Sequence, residues 1–167
     1  MGQDDALHTS SDSCTFCKIV WGEATSYMVF EDAISLAFLD HRPLLRGHCL
    51  LVPKAHYETL GDLPAVLVAP FFTAVQLLAR AVERGMEADG SFVAINNRIS
   101  QSVPHLHAHV VPRWKKDGLF ARGFIWKRQP YENQESIVTV QRAIQSAVAE
   151  LLSGQAASEP ARQKEAP

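Results

Sequence analysis

Only three cysteines occur in this chain, Cys14, Cys17 and Cys49, too few for the disulfide framework of a small secreted domain. No excess of basic residues is present either. Sixteen lysines and arginines face eighteen acidic residues, and the net charge of -2 excludes the broad positive field that duplex nucleic acid requires. The opening stretch MGQDDALHTSSDS is polar and acidic and lacks the apolar core of a signal peptide. Long hydrophobic runs are also missing. The nearest candidate, LPAVLVAPFFTAVQLLARAV, is interrupted by Pro64, Pro70, Gln76 and Arg80, leaving its apolar part too short to span a bilayer. These absences point to a cytoplasmic protein with no membrane partner and reduced thiols.

What remains is ordinary for one globular domain: 167 residues, 47% hydrophobic and 20% charged. Residues 1–13 read as a disordered leader, 14–152 as a single domain and 153–167 as a disordered tail of low hydrophobicity. CTFCKIVWGEA begins with a cysteine pair and continues as a short helix. SYMVFED and ISLAFLD are two strands joined by a tight turn at Asp32 and Ala33, and HCLLVPKAH is a third. A long helix is expected over 62–90, with Asp62 as its N-cap and Gly90 as its stop. Leu67, Phe71, Val75, Leu78 and Val82 form one stripe, and Val66, Phe72 and Ala79 make the opposite side apolar too, as expected of a helix that also meets a second subunit. SFVAINN and HLHAHVVP complete five strands. A C-terminal helix carries the stripe Ile137, Val140, Ile144, Val148 and Leu151. Hairpin strands followed by a helix and two more strands predict an α+β fold with an antiparallel sheet.

Seven histidines are present, and three stand at alternate positions in SQSVPHLHAHVVPR: His105, His107 and His109. In a strand they share one face, while Leu106, Ala108 and Val110 take the other. Three exposed imidazoles opposite a core face would be an unusual use of so scarce a residue. A catalytic zinc cage is a second reading, but no acidic residue lies between Asp89 and Asp117 to support the ligands. A third reading makes one neutral imidazole a nucleophile toward phosphorus. Gln101 and Ser102, just upstream, could then supply donors to phosphate oxygens. Cys-x-x-Cys at Cys14 and Cys17 is compatible with metal binding or with redox chemistry.

QSVPHLHAHVV resembles the His-φ-His-φ-His-φ-φ motif of the histidine-triad (HIT) superfamily of nucleotide hydrolases and transferases. FLDHRPLLRGHCLLVPKAH resembles the strand, loop and His strand that build that family's nucleotide pocket, and the likeness runs from about Cys14 to Trp126. The resemblance implies a HIT-like five-stranded antiparallel sheet with one long central helix, a short N-terminal helix and a C-terminal helix. It makes His107 the nucleophile on the α-phosphorus of a purine nucleotide derivative, a dinucleoside polyphosphate or a nucleoside phosphoramidate. His109 becomes the donor to the phosphate and His48 the residue that helps fix the nucleophile. Asp40 would accept from the ribose hydroxyls, Gln101, Ser102 and Asn96 would make polar contacts, and Phe16, Ile19 and Phe38 would wall the base. In the zinc-containing bacterial-type branch, Cys14, Cys17, His56 and His105 match the ligands of a structural Zn²⁺. A homodimer is implied as well. The alternatives are a nucleotidyltransferase and a nucleotide-binding scaffold with incidental activity. The loop RIS after Asn97 lacks the glycine common in the family, and Trp126 is a candidate for stacking on a leaving-group base.

Overall fold

The computed structural model describes residues 13–120 and 128–158, so Trp126 and the leader 1–12 lie outside the described residues. The elements are α1 (Thr15–Val20), β1 (Met28–Glu31), β2 (Ser35–Leu39), β3 (Cys49–Pro53), a 3₁₀ turn (Leu60–Asp62), α2 (Ala65–Gly85), β4 (Gly90–Ile95), β5 (Ala108–Arg113) and α3 (Gln134–Ser158). The strands form one antiparallel sheet in the order β1-β2-β3-β5-β4, so the α+β expectation holds.

Both faces of the central strands are buried, which explains their nearly continuous apolar sequence. Ala37, Leu39, Cys49, Leu51, Ala108 and Val110 face α2 and α3 and join Phe71, Leu78, Val82 and Ile144 in the main core. Leu36, Phe38, Leu50 and Val52 face the other way and are covered by α1 through Cys14, Phe16 and Cys17. Cross-strand pairing aligns Phe38, Leu50 and His109 in one row on that second face. Phe38 and His109, both candidate site residues, therefore project on the side opposite the two long helices.

Four boundaries differ from the sequence reading. Asp62 does not cap α2: it closes the 3₁₀ turn by accepting from the Thr59 N–H (2.9 Å) and hydroxyl (2.6 Å), and Pro64 occupies the N-cap. At its other end α2 stops at Gly85, before left-handed Glu87 (φ 50°), and Gly90 instead opens β4. β5 begins at Ala108, so His105 and His107 precede the ladder. Pro53 ends β3 and has no N–H to extend the pairing, and Leu106 N–H bonds instead to the Tyr57 carbonyl (2.6 Å). The C-terminal helix continues to Ser158, six residues past the expected end at Leu152.

α2 runs through Pro70, whose missing N–H lies on an exposed part of its second turn. By length and composition this helix could cross a membrane, but Phe71, Ala74, Val75, Leu77, Leu78, Ala81 and Val82 are buried within the fold. Val66 (80% exposed) and Phe72 (39%) on its outer side, and Val93 (41%) on edge strand β4, remain uncovered.

α2 and α3 approach closely at Gly85. A Cβ there would sit 2.8 Å from the Ala143 carbonyl oxygen and 3.0 Å from the Ile144 Cα, both backbone atoms that cannot rotate away. Gly85→Ala is expected to lower stability by about 1–2 kcal/mol after the gain in helix propensity. A thermal melt displaced downward by roughly 2–8 °C is the corresponding result, and an unchanged or higher Tm would refute the close contact.

Candidate active site and metal centre

Cys14 is the N-cap of α1 and Cys17 lies one turn later, so both thiols lean against the sheet. His56 follows β3 and His105 precedes β5. Their ligand atoms all lie within 4.8 Å of one another. His105 Nδ1 is 3.4 Å from Cys14 Sγ and 3.6 Å from Cys17 Sγ, and His56 Nδ1 is 3.2 Å from Cys17 Sγ. Sulfur and nitrogen ligands of one tetrahedral zinc stand roughly 3.5 Å apart, given bonds of ~2.3 and ~2.0 Å. The donor set and its spacing therefore fit a closed, structural metal site. His105 donates its Nε2–H to the Pro53 carbonyl (2.9 Å), which turns Nδ1 toward the cluster as a free ligand atom. His56 Nε2 is buried without a protein partner.

Cys49 behaves differently from the other two cysteines. It is fully buried in the main core, its thiol donates to the Gly47 carbonyl (3.3 Å), and burial pushes its ionisation well above the ordinary thiol range. Those properties make it an inert core residue.

Beside the cysteine-histidine cluster lies a cavity of about 450 Å³. Among its lining residues are Phe16 and Ile19 from α1, Phe38 and Asp40 from the end of β2, Ser102 from the loop, and His107 and His109. Asn96 and Gln101 are not among them. Gln101 instead braces its own loop: its Oε1 accepts from the Arg98 N–H (2.7 Å) and its Nε2 donates to the Glu58 carbonyl (2.6 Å). That brace holds Arg98 (φ 65°) and Ser100 (φ 61°) in the left-handed region without a glycine.

Hydrogen bonds assign the imidazole tautomers. His107 is 2% exposed, and its Nδ1 donates to the His105 carbonyl at 2.6 Å, so Nε2 is the nitrogen left with a lone pair. Burial lowers its pKa, against the opposing pull of that carbonyl. His48 is oriented by Gly47, whose φ of 89° is left-handed and whose missing Cβ leaves room for Met86. His48 Nδ1 accepts from the Leu44 N–H (3.2 Å), so its Nε2 carries the proton and donates to His109 Nδ1 (3.0 Å). His109 must then hold its own proton on Nε2. His48 thus fixes His109, whereas the sequence reading had it fixing the nucleophile.

Asp40 is the acceptor in this group. Its Oδ1 accepts from the Arg42 N–H (2.8 Å), while Oδ2 lies 3.4 Å from His48 Nδ1 and 3.5 Å from Arg128 Nη1. With His48 neutral and its Nδ1 already accepting, the 3.4 Å approach is not an ion pair. Arg128 also donates to the Arg42 carbonyl and lines the cavity. Nothing in the local sequence marks Arg128, which lies 88 positions from Asp40 and joins it only through the fold.

Both supporting histidines are held neutral. Burial pushes His48 down to about 3, with Asp40 opposing, and pushes His109 down to about 4, with His107 adding to the effect. The unfolded chain, with its ordinary histidine value of 6.5, binds more protons than the fold below neutrality. Stability therefore falls as pH drops from 7 toward 4. Between pH 7 and 5 each such histidine costs about 2 kcal/mol, roughly 4–8 °C in Tm. Melts of wild type and His109→Gln test this: the variant should show a shallower slope, and a pH-independent wild-type Tm would contradict neutral buried rings.

Comparison with known proteins places this geometry. The HIT domain family model matches residues 21–116, more than half of the chain. An adenylylsulfatase from Arabidopsis thaliana is 36% identical over 115 residues, which cover 68% of this chain and 58% of that relative, so the match spans little more than half of the relative's length. An adenosine 5′-monophosphoramidase from Saccharomyces cerevisiae is 38% identical over 114 residues, 66% of this chain and 70% of its own length. Among solved structures, a Zn-bound histidine triad family protein from Mycobacterium smegmatis superposes with a TM-score of 0.74 at 38% identity, covering 86% of this chain and 99% of that one. A family match across the pocket and the triad, joined to a matching fold, leaves one conclusion: this chain belongs to the HIT family.

Proposed function

We propose that the protein hydrolyses purine nucleotide derivatives at the α-phosphorus through a nucleotidyl-His107 intermediate. The observation that carries this reading is the pairing of opposite tautomers on one cavity wall. His107 presents an unprotonated Nε2, while the chain from Leu44 through His48 leaves a proton on His109 Nε2. One ring is a nucleophile and its neighbour, with ring centroids 4.9 Å apart, is a hydrogen-bond donor.

In this mechanism His107 Nε2 attacks the α-phosphorus in line, the N–P bond forms and the bond to the leaving group breaks. His109 Nε2–H stabilises the developing charge on a non-bridging oxygen. Water then displaces His107 and releases the nucleoside monophosphate. Phe16, Ile19 and Phe38 hold the base, Asp40 Oδ2 accepts from the ribose, and Ser102 reaches the phosphate. The relatives named as an adenylylsulfatase and an adenosine 5′-monophosphoramidase support an adenylyl compound as substrate. Zn²⁺ held by Cys14, Cys17, His56 and His105 would supply a structural cross-link and no reaction chemistry.

The exposed Val66, Phe72 and Val93 support a homodimer built on α2 and β4, and three cysteines held as thiols rather than disulfides support a reducing, cytoplasmic setting. The test of the activity is turnover of adenosine 5′-phosphoramidate, adenylylsulfate and a diadenosine polyphosphate, with intact-mass spectrometry of the quenched enzyme. Adenosine monophosphate as product and an adenylyl adduct on the peptide containing His107 are expected. Release of no monophosphate from any of the three would overturn the hydrolase reading.

A further inference from the structure

Two separate connections run from the cysteine-histidine cage to the reaction centre. The first is a side chain. Phe16 lies between the two thiol ligands in sequence, and its ring packs edge-on against His107 (5.2 Å between centroids, 81°), His105 (5.9 Å, 68°) and Phe38 (5.5 Å, 64°). The second is backbone. The same His105 that offers Nδ1 to the cage uses its carbonyl to hold the His107 Nδ1–H. α1 itself has only six residues, too few to be stable unaided, yet it contributes Thr15, Phe16 and Ile19 to the cavity.

We propose that the Cys14, Cys17, His56 and His105 cage is a positioning device for the reaction centre, so that metal occupancy sets both the nucleoside wall and the ring orientation of His107. The proposal rests on the nucleotide reading above for its ligand, but its geometry does not. Metal bound to Cys14 and Cys17 holds α1 on the sheet and keeps Phe16 and Ile19 in place. Metal bound to His105 Nδ1, together with the Nε2 contact to Pro53, fixes the residue whose carbonyl selects the His107 tautomer. Without it, α1 regains freedom that nucleotide binding must remove again, and affinity falls by that ordering cost. The main core on the opposite face of the sheet does not include the cage and should survive metal loss.

His56→Ala is the sharpest variant, because His56 is only part-buried, touches neither the cavity nor His107, and supplies one ligand. The full chain labelled with ¹⁵N-histidine is compared in three forms: zinc-loaded wild type, wild type stripped with a strong chelator, and His56→Ala. Measured for each are zinc content, circular dichroism, affinity for adenosine monophosphate by calorimetry, and the ring nitrogen shifts of His107. The expected result is a folded sheet in all three, with affinity weakened about tenfold or more and the Nδ1–H signature of His107 lost or averaged in the two metal-poor forms. Unchanged affinity and unchanged His107 shifts in folded, zinc-free protein would overturn the proposal. So would loss of binding only together with global unfolding in both forms. If zinc-loaded wild type binds no nucleotide, the nucleotide reading fails, while the His107 shifts still decide whether the cage positions that ring.

Discussion

His107→Ala is expected to reduce turnover of an adenylyl substrate by at least about 10³-fold and to remove the adenylyl adduct, because no other group in the cavity can replace the attacking nitrogen. His109 cannot substitute: its Nδ1 is engaged by His48 and its Nε2 carries the proton. His48 is buried behind His109 and is not among the residues lining the cavity. Nucleotide binding should persist, since Phe16, Ile19, Phe38 and Asp40 are untouched. The variant removes a buried ring and leaves the His105 carbonyl with only a 3.5 Å contact from Gln101 Nε2, so a stability loss of about 1–3 kcal/mol is expected alongside. Added imidazole could enter the vacated space and restore part of the rate. Steady-state kinetics with binding measured separately check this. Turnover within tenfold of wild type would remove His107 from the nucleophile's role.

Stripping the metal should produce the largest change in stability. A site that binds zinc only in the folded state stabilises it by about 4 kcal/mol when free metal exceeds the dissociation constant a thousandfold. For a domain of this size that corresponds to roughly 8–16 °C in Tm. Elemental analysis of the purified protein should find one zinc per chain. Cys17→Ser should lose the metal and reproduce the Tm of chelated wild type. Cys49→Ser should keep the metal, because Cys49 faces the main core on the other side of the sheet. A chain that carries no metal, and whose Tm does not respond to added zinc, would contradict the assignment.

Much of the fold is legible in the chain because burial on two faces or one leaves a periodic trace. Leu36 to Leu39 and Cys49 to Val52 are apolar in unbroken runs, and the stripe from Ile137 to Leu151 returns every three or four residues; all of these are buried. Of the boundaries that shifted, the start of β5 is set by hydrogen-bond partners far away in sequence, whereas those of α2 are set by local contacts and backbone conformation. β5 starts where β3 can pair with it, and Pro53 ends that pairing, so the spacing of the three histidines could not reveal that two of them precede the ladder.

By itself the sequence determined which chemistry is available: a Cys-x-x-Cys pair, three alternating histidines, and an aspartate at a strand end, all residue types whose reactivity is covalent and local. Tertiary structure alone decided which ring nitrogen of each histidine carries the proton. Tautomers follow from partners, and those partners are the His105 carbonyl for His107, the Leu44 N–H for His48 and His48 for His109. Arg128 reaching Asp40, and Phe16 lying against both His105 and His107, likewise exist only once distant segments are packed together. A neutral imidazole has one donor and one acceptor, and the chain alone does not say which is which until burial excludes water and a fixed backbone group takes one of them.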